Sequence, residues 1–392
     1  MKRISILLVA ATAFAVPACS NDVSQPGGDD DGSGSGSGSG TDDPYEKILG
    51  ERKVDYSYAL RIAALRLTGN LPSMTEVNQV ASATGDAQRA AYETLVRAYL
   101  DRPTFAAQAL NFWRDTFKMG GSAMLDAAPA FAAKLTVENG SYLDLFTKPS
   151  GNCPTVSTAG GITTFADVDC ANGGPRAGVI TNTGVQAQFF SNFAFRRVRW
   201  IQETFDCLRF PAELSTTPVD VGGAAPYLGV WPFASVASPT TGGRVDFQNV
   251  ASAICANCHG TINHIAPLFA YYDGNGAYKT AISVPTPLAG TPPPLAALTD
   301  YLAPGEAYAW RYGKPTPDIP AFGAALAADP EVAACGVARI WNFALGYADI
   351  VDQLVEVPLE TIQTQVTAFT QNNYRLKDAF FAAFTSEAFV KF

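Results

Sequence analysis

The chain has 392 residues, 47% of them hydrophobic and 16% charged. That is an ordinary globular composition with enough apolar surface for one or two packed cores. Acidic residues outnumber basic ones, 36 to 27, for a formal net charge of −9. Such a surface repels phosphate backbones, which excludes nucleic acid as a partner, and it favours basic protein surfaces only in a weak, salt-dependent way.

Met1-Lys2-Arg3 and the apolar run 4–16 read as a basic leader and a short hydrophobic core, too short to span a bilayer as a mature helix. Val16-Pro17-Ala18-Cys19 follows and resembles a bacterial lipobox, with Pro17 an unusual occupant of its position. Residues 1–18 are therefore expected to be a lipoprotein signal peptide and Cys19 the lipidated first residue. The alternative is an ordinary secretory peptide cleaved near Ala18. Ser20 resembles the outer-membrane sorting choice. Loss of Lys2 and Arg3 leaves 25 basic against 36 acidic residues, a net of −11. Residues 19–43 are Ser, Asp and Gly almost throughout, a flexible tether that buries no core. No other segment is long and apolar enough to cross a membrane. The expected location is the cell envelope: an outer-membrane lipoprotein on its periplasmic or surface face, held by the N-terminal lipid only.

Residues 44–146 read as an N-terminal helical module. The spacing predicts a helix over 44–68, broken by Gly69-Asn70-Leu71-Pro72. Ser73-Met74-Thr75-Glu76 is a capping box that opens the next helix. Another starts at Asp86 and stops before Pro103. Residues 104–118 follow through Phe105, Leu110, Phe112, Trp113 and Phe117 until Gly120-Gly121. Residues 127–137 read helical, with Pro129 in the first turn.

Residues 147–244 form a loop-rich segment and a helix leading onward. The stretch 147–178 reads as loop, and 185–208 as one helix. That helix carries the chain's only basic cluster, Arg196-Arg197-Val198-Arg199, expected on a solvated face; binding of a carboxylate by one of these arginines is the alternative. Residues 211–241 are Pro/Gly-rich, and 245–253 lead helically into the next motif.

Within the module 245–320 stands Cys255-Ala256-Asn257-Cys258-His259, in a chain with only two histidines, His259 and His264. Two thiols three apart share one side of a tight turn, and the imidazole follows at once. This is the arrangement of c-type haem attachment, in which both sulfurs add to the porphyrin vinyl groups and the histidine becomes an axial ligand. A structural zinc site wants four ligands and no second Cys pair of this spacing exists. A thioredoxin-type redox pair suits a reducing compartment, against the export signal. A disulfide across two residues is strained. One covalent haem c, held by Cys255, Cys258 and His259, is the expected cofactor.

Apart from Cys19 and the motif, four of the seven cysteines remain: Cys153, Cys170, Cys207 and Cys335. In an exported protein an even remainder suggests two disulfides, with three possible pairings. Cys153 and Cys170 bracket a Gly/Thr/Asp-rich loop and are natural partners, which leaves Cys207 with Cys335. Residues 278–320 read as mostly loop. The C-terminal helical module, 321–392, reads helical over 331–344 and 359–389. The fold class expected is mainly α: helical modules with long irregular loops wrapped around a covalently bound haem.

The text around the motif, from Asp246 through Tyr272-Asp273-Gly274-Asn275-Gly276, resembles the haem module of planctomycete-type secreted cytochrome-c-like proteins. There the Cys-x-x-Cys-His run is followed by an aromatic-Asp-x-x-Gly turn. Leu65-Arg66-Leu67-Thr68-Gly69-Asn70-Leu71-Pro72, residues 92–101 and Trp113-Arg114-Asp115 are similar to that family's N-terminal helical module. Arg176-Ala177-Gly178-Val179-Ile180-Thr181 is similar to the segment before the haem module. Cys335 through Gly346, with residues 374–389, is similar to its C-terminal module. The resemblance covers most of the chain from about residue 57 and implies a secreted mono-haem cytochrome. The family usually has Asp-Pro where this chain has Asn263-His264.

His264, five residues after His259 on the same face of any haem, is expected to be a surface or hydrogen-bonding group rather than a second ligand. A thioether, water or an open position is left. Met119 and Met124 flank Gly120-Gly121, where backbone can approach a cofactor closely, and are the candidate iron ligands; core filling is the alternative. No redox partner can be read. Three functions remain: one-electron transfer; a haem enzyme or sensor with an open sixth site acting on peroxide or a diatomic gas; or a surface binding lipoprotein with structural haem.

Overall fold

The computed structural model describes residues 50–208, 239, 242–245, 253–348 and 355–392. The expectations for the signal peptide, Cys19, the tether, most of 211–241 and the approach 246–252 lie outside the described residues.

The protein is mainly helical. Helix α1 (Tyr56–Thr68) begins where Asp55 accepts from the Tyr58 amide at 2.9 Å, and ends at Gly69 in the left-handed region, φ 72°. It does not run from residue 44, because Val54 leaves the helical path to pair with Lys391. The Ser73–Glu76 capping box opens α2 (Met74–Ala81); α3 (Gly85–Leu100) and α4 (Phe105–Phe117) follow as their apolar spacing predicts. Helix α5 (Ala123–Val137) starts four residues earlier than expected. Ser122 caps it by accepting from Leu125, so Pro129 lies in the second turn.

After the short α6 (Asp144–Thr147) comes a hairpin where a loop was expected. Strands β1 (Thr155–Ala159) and β2 (Ile162–Ala166) pair antiparallel about Gly160-Gly161. The Cys153–Cys170 disulfide closes the base of the hairpin, with Cα atoms 4.9 Å apart. The helix expected over 185–208 is broken in two, α7 (Thr183–Gln188) and α8 (Phe195–Phe205). Between them Phe193 and Ala194 take left-handed φ of 57° and 60°, held as the Phe193 amide donates to the Pro285 carbonyl at 3.1 Å. Helix α9 (Ala253–Phe269) carries the cysteine–histidine motif. A two-residue ribbon, β3 (Ala309–Trp310) with β4 (Lys314–Pro315), leads to α10 (Ile319–Ala327) and α11 (Pro330–Leu345). The single helix expected over 359–389 is three: α12 (Leu359–Gln371), α13 (Leu376–Phe384) and α14 (Glu387–Val390). The first break falls where Asn373 and Tyr374 turn left-handed and the Tyr142 amide donates to the Tyr374 carbonyl at 2.8 Å.

N- and C-terminal helices share one core within the unit Arg52–Phe392. Phe112 of α4 packs edge-on against Phe343 of α11 and Phe380 of α13, both at 5.2 Å between ring centres. The second expected disulfide, Cys207–Cys335, ties the end of α8 to α11. Lys53 and Phe392 exchange two backbone hydrogen bonds of 3.0 Å.

Three arginines link these helices end to face. Arg66 of α1 donates to the Phe343 carbonyl near the end of α11. Arg339 of α11, itself buried, donates to the Thr204 and Glu203 carbonyls at the end of α8, at 2.8 and 2.6 Å. Arg197 of α8 does the same for α9. Each places a cation at the negative end of a helix, where terminal carbonyls lack partners.

Candidate functional site

Cys255, Cys258 and His259 stand at positions i, i+3 and i+4 of α9, so the helical backbone sets all three on one face. The thiol side chains lie outside the described residues; the imidazole does not. His259 is half-buried, edge-on to the Phe195 ring at 5.3 Å. Its Nδ1 lies 3.0 Å from Oδ1 of Asn263, one helical turn on and fully buried. A carboxamide oxygen only accepts, so the contact puts the ring proton on Nδ1 and the lone pair on Nε2. Burial pushes the His259 pKa below the ordinary imidazole value, against the Asn263 hydrogen bond, and favours the neutral ring. A neutral imidazole with Nδ1 engaged by an oxygen is the form that ligates a metal through Nε2.

His264 is buried, not on the surface. Its Nδ1 donates to the Gly260 carbonyl at 2.6 Å, and its Nε2 faces the Glu306 carboxylate at 2.8 Å. Both ring nitrogens are engaged in holding α9 to the loop before β3, so this imidazole is a hydrogen-bonding group, as one of the two readings had it. Met119 is buried beside Arg114 and Phe112, whereas Met124 is 46% exposed near the Cys153–Cys170 bridge. The two sulfurs line separate clefts, and His259 is not among the described residues lining either.

Arg197 corrects the expectation of a solvated basic face. It is fully buried, and all five of its N–H groups meet backbone oxygens. Nε and Nη2 donate to the Gln186 carbonyl, Nη1 to Phe269 and Tyr272, each at 2.8 Å, and Nη2 to Asp273 at 2.9 Å. Burial lowers its pKa to about 10. No donor is left for a carboxylate. Its neighbours behave as surface groups: Arg199 pairs with Glu203 at 2.6 Å, and Arg196 lies over the Phe189 ring.

The Tyr-Asp-x-x-Gly turn that Arg197 clasps has its own logic. Asp273 accepts from the amides of Asn275 and Ala277 at 2.9 and 3.0 Å. Partial burial raises its pKa, yet Lys279 and these amides hold it below the usual carboxylate range. Gly276 has φ 75°, and a Cβ there would stand 2.3 Å from the Thr183 carbonyl oxygen, so no other residue fits.

The donor set suits a porphyrin iron better than a bare ion. One imidazole with two neighbouring thiols is short of the four ligands of structural zinc. Among the described residues no three His, Cys, Asp or Glu side chains converge on a metal position. A macrocycle brings its own nitrogens and needs an axial imidazole, two thiols on one face and apolar surroundings. Two buried polar atoms of this neighbourhood, Asn263 Nδ2 and the Tyr301 hydroxyl, have no hydrogen-bond partner among the described residues. Tyr301 packs edge-on against Phe195 at 6.1 Å, which itself borders His259. Polar atoms left this way cost about 1–3 kcal/mol each unless a bound group meets them. Sequence reasoning missed Asn263, Phe195 and Glu306. Asn263 had a signal, the i+4 position that a helix brings beside His259; Glu306 lies 42 residues from its partner and had none. Comparison with protein-family models, with curated proteins and with solved structures finds no match to this chain.

Proposed function

We propose that the chain is a mono-haem c-type cytochrome of the cell envelope that passes single electrons, tethered to the outer membrane through lipid on Cys19. The observation that carries this reading is the His259–Asn263 contact on α9. It prepares an Nε2 lone pair on the same helical face as Cys255 and Cys258. The order of motifs that resembles the planctomycete-type cytochrome-c-like modules supports it further. When bound, the porphyrin iron supplies a one-electron couple whose potential follows its axial ligands and surroundings. Asn263 holds the imidazole tautomer, Phe195 shields one side of the ring from water, and Arg197 anchors the far end of the helix. The long loops over 278–320 are the segments proposed to wrap the haem, and Met119 or Met124 the sixth ligand.

Electron transfer is preferred over turnover of peroxide because the second imidazole is committed to Gly260 and Glu306 and is not placed as a distal base. A pyridine haemochrome assay on protein made with an intact maturation system should give one haem per chain. Cys255→Ala with Cys258→Ala should give none. A mature polypeptide whose mass lacks the tetrapyrrole would sink the proposal. A Met–Fe(III) charge-transfer band lost in Met119→Ala or Met124→Ala identifies the sixth ligand; rapid cyanide binding instead favours the open-site reading.

A further inference from the structure

A cleft of about 770 Å³ opens where α1, α4, α5 and the end of α11 meet. Its apolar walls are Phe112, Met119, Leu125 and Phe343, and its volume falls in the range of about 300–1,000 Å³ typical of small-molecule sites. Three cations line it, two of them with a carboxylate partner: Arg114 pairs with Asp126 at 2.7 Å, and Lys118 lies 3.6 Å from Glu203, which it shares with Arg199. Arg66 differs. Its one hydrogen-bond acceptor among the described residues is the Phe343 carbonyl, and none of their carboxylates lies within ion-pair reach. Partial burial lowers its pKa below the ordinary guanidinium value. The one acid of the lining, Asp115, is held above the usual carboxylate range by burial, despite Arg114 beside it. Gly346 fixes the approach of α11: a Cβ there would stand 2.4 Å from Arg66 Nη2. A guanidinium with no carboxylate partner among the described residues, set over an apolar trough, suits an anion.

We infer that this cleft binds a small organic anion, a carboxylate head on an apolar body, with Arg66 meeting the head and the Phe112, Met119, Leu125 and Phe343 walls taking the body. No described residue of α9 lines it, so the inference stands apart from the haem attachment; it takes Met119 as a wall of the cleft and leaves Met124 or an open position for the iron.

Isothermal titration of the mature, haem-loaded protein with octanoate tests it, with octylamine as the control of opposite charge. Octanoate should bind with Kd of about 10–1,000 μM, and octylamine should not bind. Arg66→Gln should weaken octanoate at least about tenfold. Because Arg66 also caps α11, its variant is first shown to melt as a folded protein. Leu125→Trp, which fills the apolar end without touching the cation, should weaken binding too. The covalent haem content should be unchanged in both, which separates failure here from failure of the cytochrome proposal. No octanoate binding to the unaltered protein, equal binding of octylamine, or undiminished binding in both folded variants would each overturn the inference.

Discussion

At the scale of single residues, the candidate motif is legible because the proposed chemistry demands neighbours in sequence. On the cytochrome proposal Cys255, Cys258 and His259 must be adjacent to serve one porphyrin, and the helix sets their positions on one face. The groups that tune it need adjacency only in space. Asn263 and Glu306 act on the two imidazoles from one turn and 42 residues away, and only the folded chain brings Glu306 to His264. Asn263 should matter for the couple rather than for attachment. On the cytochrome proposal its acceptor on Nδ1–H would make the imidazole a stronger donor and favour the oxidised iron. Asn263→Leu should therefore retain covalent haem and raise the reduction potential, and Asn263→Asp should lower it, both read by spectroelectrochemical titration. The basic cluster shows a second limit of reading. Consecutive helical residues point about 100° apart, so only one of Arg196, Arg197 and Arg199 faces inward, and tertiary packing decides which. Arg197→Met should strip four carbonyls of their donor and cost about 3–5 kcal/mol of stability, measured by urea unfolding.

At the scale of elements, helix existence was legible and helix continuity was not. The stripes that predicted α3 and α4 are strong, and the two helices end at Leu100 and Phe117, shortly before the breakers Pro103 and Gly120. The interruptions at Phe193–Ala194 and at Asn373–Tyr374 are set by carbonyl and amide partners from Pro285 and Tyr142, which no local pattern reveals. The hairpin did have a signal. Residues 155–159 and 162–166 are rich in Thr, Val, Ile and Phe and two glycines separate them, but the Gly, Thr and Asn content of the whole stretch 147–178 masks that pattern. Contacts between elements also carry a pH dependence. Asp378 of α13 accepts from Arg97 of α3 at 2.6 Å and from Asn139 and Asn372 at 3.1 and 2.8 Å. Partial burial raises its pKa, yet these donors outweigh it and hold the value below the ordinary carboxylate range. A depressed pKa in the folded state stabilises above the unfolded value of about 3.9 and is lost as pH falls through the folded one. Asp378→Asn should thus be less stable than the unaltered protein at pH 7, and the gap should close in unfolding curves taken toward pH 3.

At the scale of the whole molecule, the mainly helical class and both disulfide pairings were legible, the first from periodicity and the second from cysteine count and spacing. The sharing of one core by the first and last helices was not, because Phe112, Phe343 and Phe380 are read as separate stripes until they meet. The Cys207–Cys335 bridge closes a separation of 128 residues. In the chain-entropy account a loop of that length is worth about 4–5 kcal/mol. Replacing both cysteines by Ala should lower stability by up to that amount, with the midpoint of chemical unfolding as the measure. The backbone exchange between Lys53 and Phe392 reaches further. Any sequence fused after Phe392 leaves the body beside the point where the tether-side chain enters it. A dye pair on those two sites would stay at close-contact distance until the body unfolds. A few residues of bridging peptide would suffice to close the backbone into a ring, and the hairpin tip at Gly160-Gly161 offers an exposed place to open it again.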